Sequence, residues 1–91
     1  GNRALRKQRH LAHTGGACPR AKTIKLMDLV HNCVSIVRHN AGFSVQFLRE
    51  MHAMLAVMQD ASDPAAWVFA QRMYARACTR LESRRLQTAL R

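Results

Sequence analysis

Residues 23–40 read TIKLMDLVHNCVSIVRHN, and this stretch decides the fold class. Its apolar side chains recur at spacings of three and four in two adjoining rows: Met27, Val30, Val34 and Val37, and beside them Leu26, Leu29, Cys33 and Ile36. Polar residues occupy the opposite side, which is the pattern of an amphipathic helix. Thr23 is a favourable N-cap, and Gly42 is able to end the helix in the left-handed conformation. We therefore predict a helix over residues 23–40.

Two further helices follow from the same periodicity. The second is predicted over residues 44–59, with an apolar row of Phe47, Met51, Met54, Leu55 and Met58. The third begins at Asp63-Pro64, because the carboxylate caps the first turn and proline fits the first helical position. It extends to residue 82 or beyond, with an apolar row of Trp67, Ala70, Tyr74, Cys78 and Leu81. No stretch alternates with period two over a strand's length, so no strand is predicted.

The predicted fold class is all-α, with three amphipathic helices packed as a small helical bundle. The helix over 23–40 is apolar around about half its circumference, which is more than two neighbouring helices normally cover. We therefore expect a protein partner or a second copy of the chain to complete the bundle through that face. The side chains predicted to be buried are Met27, Val30, Val34, Val37, Phe47, Met51, Leu55, Trp67, Tyr74 and Leu81.

Positive charge is concentrated at the two ends of the chain. The 15 Lys and Arg residues oppose 5 Asp and Glu residues, which gives a net charge of +10. Residues 1–22 contain no acid. Residues 4–13 are compatible with a short helix, which Gly15-Gly16 and Pro19 would end. The sequence therefore divides into a basic, largely irregular N-terminal arm (1–22) and a helical domain (23–91). High positive charge favours anionic partners such as nucleic acid, an acidic lipid surface or an acidic protein.

Arginines on the third helix form the best-defined binding motif. Arg72, Arg76, Arg80 and Arg84 recur every four residues, and Arg85 extends the row. Side chains at this spacing share one slowly drifting face of a helix, and guanidinium groups bind phosphate in a bidentate manner. Since like charges at this spacing repel, an anionic partner would relieve a cost to the helix. The predicted phosphate-binding residues are these five and the basic residues of the arm, Arg3, Arg6, Lys7, Arg9, Arg20 and Lys22.

Metal-binding and catalytic motifs are weak or missing. His10, His13 and Cys18 supply donor atoms for zinc, but their spacing matches no standard zinc finger, and we expect neither a metal nor another cofactor. The sequence has no Gly-rich phosphate loop, no His-Glu-x-x-His motif and no nucleophile elbow, so an enzyme is not expected. Cys33 and Cys78 fall on apolar rows and are interpreted as core residues.

Cysteine usage and hydropathy bear on where the protein works. Three cysteines without paired spacing argue against a disulfide framework and indicate a reducing, intracellular compartment. They do not distinguish the mitochondrial matrix, the nucleus or a viral particle. No apolar run approaches the roughly 18 residues of a membrane span, so an integral membrane protein is not expected.

The function predicted from these features is non-enzymatic binding of RNA or DNA, by a free protein or by a basic subunit of a ribonucleoprotein. Phosphate contacts position a protein without reading bases, so little sequence preference is expected. The alternative is a helical protein–protein interaction module, in which the apolar face of residues 23–40 carries the binding. A third interpretation is a basic matrix-like protein at an anionic membrane surface.

Overall fold

Four helices make up the fold within residues 2–90, the part of the chain that this computed structural model describes. They are α1 (Arg3–Gly15), α2 (Pro19–His39), α3 (Ala41–Val57) and α4 (Pro64–Leu90), and these residues contain no strand. The all-α prediction is confirmed, whereas the predicted number of three helices is wrong. Gly1 and Arg91, the outer ends of the predicted arm and of the predicted helical domain, lie outside the described residues.

The additional helix, α1, lies where an irregular arm was predicted. The Asn2 side chain caps it by accepting a hydrogen bond from the Leu5 amide at 3.1 Å. The helix then continues to Gly15, and the Gly16 amide still donates to the Ala12 carbonyl at 3.0 Å. The prediction of a largely irregular arm is therefore wrong, whereas the short helix considered for residues 4–13 is present and extends to Gly15.

The start of α2 also differs from the prediction. Pro19 occupies its first turn, where the missing amide costs nothing, so α2 begins four residues before Thr23 and the predicted boundary at 22/23 lies inside it. Thr23 is not the N-cap. Its hydroxyl lies 2.9 Å from the Ser62 hydroxyl and accepts a hydrogen bond from the Asp63 amide at 3.2 Å, so this side chain ties α2 to the α3–α4 turn.

A single residue, Asn40, separates α2 from α3. Its amide donates to the Ile36 carbonyl at 2.8 Å, while its side chain accepts from the Phe43 amide at 3.2 Å. Buried Ser44 adds a hydroxyl bond to the Asn40 carbonyl at 2.9 Å. Gly42 therefore lies inside α3, and no glycine among residues 2–90 adopts a positive φ, so the predicted glycine cap is wrong.

The start of α4 agrees with the prediction. The Asp63 carboxylate accepts a hydrogen bond from the Ala65 amide at 3.0 Å, and Pro64 takes the first helical position. The Trp67 indole then donates to the Leu55 carbonyl at 2.9 Å, which ties α4 to α3. The helix continues without a break through Leu90.

Contacts at the helix ends show how the four helices are arranged. Ser62 donates to the Pro19 carbonyl near the start of α2, and Arg84 reaches the Val37 carbonyl near its end, so α2 and α4 run parallel. The antiparallel α3 joins them through short connections. The helix α1 packs mainly on α3, with Gly15 against Val57. The Cα atoms span 48 × 36 × 17 Å, so the molecule is flattened in one direction.

The core lies where α2, α3 and α4 meet. Its buried apolar residues are Leu26, Leu29, Cys33, Val37, Phe47, Leu48, Met51, Met54, Leu55, Met58, Ala61, Ala66 and Ala70. Burial was predicted correctly for Val37, Phe47, Met51 and Leu55. Those predicted residues that are half-buried against the core are Val30, Trp67, Tyr74 and Leu81.

The prediction is wrong for Met27 and Val34, which are 40% and 42% exposed. The row containing Leu26 and Cys33 faces α3 and α4 instead. Both apolar rows of α2 have the spacing of a buried helix face. Which of them is buried therefore depends on where the neighbouring helices pack. The chain itself thus covers most of the wide face of residues 23–40, and it leaves Ile24, Met27 and Val34 exposed.

Candidate nucleic-acid interface

Three arginines of the predicted row project from α4 into solvent. Arg72, Arg76 and Arg80 are all exposed, and they span about 12 Å along the helix axis. Within residues 2–90, no carboxylate lies within ion-pair distance of any of them. The three side chains form a row of unneutralised guanidinium groups on a helix that is held in place by its packing on α2 and α3.

The fourth arginine of the predicted row has a different role. Arg84 is half-buried, and its Nη1 atom donates to the Val37 carbonyl at 2.6 Å, so it satisfies a backbone acceptor in the last turn of α2. Each step of four residues turns the row by about 40°, which brings Arg84 round to the α2 side of α4. Arg84 is therefore engaged structurally, while Arg85, the next residue, is exposed.

An apolar groove of about 550 Å³ runs beside this row, between α2 and α4. Arg76 and Arg80 line it together with Met73, and α2 contributes Val34 and Val37. This groove was not predicted from the sequence, because the periodicity of one helix does not show which side chains of another helix lie opposite. Val34, which was predicted to lie in the core, is instead exposed and lines this groove.

The basic residues of α1 are only partly available to an anionic partner. Arg3 and Lys7 both pair with Glu50 on α3, at 3.2 Å and 2.7 Å. Hydrogen bonding from Lys7, aided by Arg3 and Gln46, outweighs partial burial and lowers the pKa of Glu50 below its ordinary value. Other predicted residues of this region remain exposed, namely Arg6, Arg9 and Arg20.

The Glu50 cluster makes the docking of α1 dependent on pH. Because the pKa of Glu50 is lowered in the folded protein, its contribution is complete above the unfolded value of about 4.3 and is lost as pH falls through the lower folded value. Partly exposed pairs contribute under about 1 kcal/mol each. We expect Glu50→Gln to reduce amide-exchange protection across α1 by about two- to fivefold at about pH 6, and by little at about pH 2.5.

The matched control for this prediction is Asp28→Asn, which removes one exposed acid that has no ion-pair partner within the described residues. It should leave the protection of α1 unchanged at both pH values. Equal protection in Glu50→Gln and the unmodified protein at about pH 6 would mean that the ion pairs do not hold α1.

Among the predicted phosphate ligands, Lys22 is the residue most fully engaged by the rest of the chain. Its side chain is only 3% exposed, and its Nζ atom donates to the Gly15 carbonyl at 2.8 Å and to Asp60 at 2.7 Å. The Lys22 hydrogen bond lowers the pKa of the exposed Asp60 carboxyl. Lys22 therefore joins the end of α1, the first part of α2 and the α3–α4 turn, and it is unavailable to phosphate.

A second, larger cleft of about 1080 Å³ opens between α1, α2 and α3. Its basic lining residues are Arg3, Arg6, Lys7, His10, Lys25 and Arg49, and Glu50 lies among them. This cleft shares no lining residue with the groove beside Arg76 and Arg80. The structure thus separates the two halves of the predicted phosphate-binding set, and only the α4 row lacks an acidic neighbour in its cleft.

The histidines and cysteines do not form a metal site within the part of the chain that the structure describes. Residues 2–90 bring no group of three or more His, Cys, Asp or Glu side chains together to hold a metal ion, and this includes His10, His13 and Cys18. Cys33 is buried and Cys78 half-buried. Burial, with a smaller effect of nearby Cys78, raises the pKa of the Cys33 thiol, which makes it a poor nucleophile.

Comparisons with protein-family models, with curated proteins and with solved structures find no match to this chain. Among the helices of residues 2–90, none is both long enough and apolar enough to cross a membrane.

Proposed function

We propose that this chain is a non-enzymatic nucleic-acid-binding protein, or a basic subunit of a ribonucleoprotein, that contacts phosphates through Arg72, Arg76 and Arg80. One observation carries the proposal: three exposed guanidinium groups lie along one helix without an acidic partner in the described structure. Such groups bind phosphate in a planar, bidentate geometry, and a row of them can follow a nucleic-acid backbone.

The arrangement around the row supports a partner that is a polyanion. Four-residue spacing places successive like charges close enough to destabilise the helix, and bound phosphates would reverse this effect. The exposed Phe69 lies three residues before Arg72 and seven before Arg76, so it stands near the same side of α4. Because aromatic rings stack on unpaired bases, this position favours single-stranded over duplex nucleic acid.

Salt dependence of binding tests the proposal. Each phosphate contact contributes about −0.9 to the slope of log K against log salt on B-DNA and about −0.7 on single strands. The double variant Arg76→Gln/Arg80→Gln should therefore make the slope shallower by about 1.8 on duplex DNA, and by about 1.4 on a single strand, per protomer. The measurement is a fluorescence-anisotropy titration at four or more salt concentrations, with single-stranded RNA and with a duplex of the same length.

The matched control is Arg38→Gln/Arg49→Gln, which removes the same charge from two exposed arginines outside the row. It should change the slope by much less than the row variant does. A third pair, Arg6→Gln/Arg9→Gln, measures the contribution of α1. Equal slopes for the row variant and the control would mean that binding follows net charge alone, and the proposed role of the row would be wrong.

The alternative function, a helical protein–protein interaction subunit, is favoured by one observation on α2. Ile24, Met27 and Val34 are large apolar side chains that the described structure leaves exposed on that helix. If they form the main binding surface, Val34→Asp should abolish co-purification of a protein partner while the nucleic-acid salt slope stays unchanged. This outcome would favour the alternative over phosphate binding.

A further inference from the structure

The exposed side of α4 carries a second regular pattern, separate from the core row of this helix. Six exposed residues, here called the outer stripe, follow one another at spacings of four, three, four, three and four: Val68, Arg72, Ala75, Thr79, Glu82 and Leu86. This is the heptad spacing of a helix that packs along another helix. Val68 is 42% exposed and Leu86 56%, so the stripe has apolar side chains at both ends without cover.

The outer stripe is complementary to itself when a second copy is turned to run antiparallel. A twofold axis at the level of Ala77 would place Val68 opposite Leu86 of the second copy and Ala75 opposite its Thr79. Arg72 would then face Glu82 of the second copy, and Glu82 is the only acid among the α4 residues. Such reciprocal pairing is what a symmetric homodimer interface requires.

The exposed area of the chain is consistent with an uncovered interface. A monomer of 10.3 kDa is expected to expose about 5,400 Å², whereas this chain exposes 6391 Å². The excess of about 1,000 Å² belongs to the chain as a whole, and it is large enough for an interface of standard size, in which each partner buries roughly 800 Å². All six stripe residues are exposed, so the other helices do not cover them, although Ala75 and Thr79 also line the groove between α2 and α4.

We propose that a second copy of this chain docks antiparallel on the outer stripe, with small residues at the centre, apolar residues at the ends and two Arg72–Glu82 ion pairs between the copies. The twofold axis keeps the same flank of both α4 helices on one side of the dimer. Arg76 and Arg80 of both copies therefore lie on a single face. In the dimer Arg72 is engaged by Glu82 of the second copy, so the phosphate contacts of the dimer are those of Arg76 and Arg80, which the stripe excludes. The dimer itself does not depend on the proposed function.

Charge reversal at the ion pair tests the dimer. Glu82→Arg and Arg72→Glu should each weaken self-association at least about tenfold, because like charges then face each other across the interface. The double variant Arg72→Glu/Glu82→Arg should restore the dissociation constant to within about threefold of the original value. The measurement is sedimentation equilibrium of nuclease-treated protein at about 0.15 M salt, where screening over about 8 Å limits repulsion between the cationic copies.

Two further variants keep the result interpretable. Asp28→Arg makes the same charge change on α2, away from the stripe, and should leave the dissociation constant unchanged. Leu86→Asp should weaken self-association while far-ultraviolet circular dichroism stays constant. A protein that remains monomeric up to about 1 mM, or a double variant that fails to recover, would overturn the dimer. Neither result would alter the salt-slope comparison of the Arg76/Arg80 variant, so the two proposals fail separately.

Discussion

Replacing Leu26 by alanine is expected to lower the free energy of unfolding by about 3 kcal/mol. Leu26 is fully buried in the centre of the α2 face that meets α3 and α4, and alanine would leave a cavity there. Domains of this size are stable by about 5–15 kcal/mol, so the loss is a large share of the total. Urea unfolding followed by Trp67 fluorescence measures it, because the single tryptophan is half-buried against the core.

The neighbouring residue supplies the matched control. Met27 is 40% exposed, so Met27→Ala is expected to cost less than about 1 kcal/mol, although both changes shorten an apolar side chain on the same helix. The comparison decides which of the two apolar rows of α2 faces inward. A larger loss for Met27→Ala than for Leu26→Ala would contradict the observed packing of α2.

Lys22→Met is expected to lower the free energy of unfolding by about 2–3 kcal/mol. The change keeps the length of the side chain but removes the donor to the Gly15 carbonyl and to Asp60, and hydrogen bonds from a charged group contribute about 1.5–3 kcal/mol. Amide-exchange protection should fall most at the end of α1 and at residues 58–63, the two segments that Lys22 joins to α2.

The control for Lys22 is Lys25→Met, one turn further along the same helix. Lys25 forms no ion pair within the described residues, so its replacement should change stability by less than about 0.5 kcal/mol. Asp60→Asn combined with Lys22→Met should destabilise less than the two single changes together, because they remove one shared contact. Full additivity would mean that the Lys22–Asp60 contact is not formed in solution.

Four of the predicted binding residues are engaged by other parts of the chain, and their sequence context does not reveal this. These residues are Arg84, Lys22, Arg3 and Lys7. They are of the same residue types, and lie at similar spacings, as the basic residues that remain exposed. Each of them has a partner that is distant in the chain: the Val37 carbonyl for Arg84, Asp60 for Lys22, and Glu50 for Arg3 and Lys7. Such partners are set by the packing of helices, and no local pattern contains that information.

Local sequence patterns were sufficient to predict the helical class, the junctions at Asn40 and Asp63-Pro64, the apolar row of α3 and the regular spacing of the arginines on α4. These features depend on hydrogen bonds and periodicity among residues within about four positions of each other. Three features depend on the packing of the helices: which row of α2 is buried, the docking of α1 on α3, and the contacts by which Lys22 and Arg84 hold helices together. Both rows of α2 are apolar, so burying either one gives a similar hydrophobic free energy. The row that is buried is the one that the packing of α3 and α4 covers.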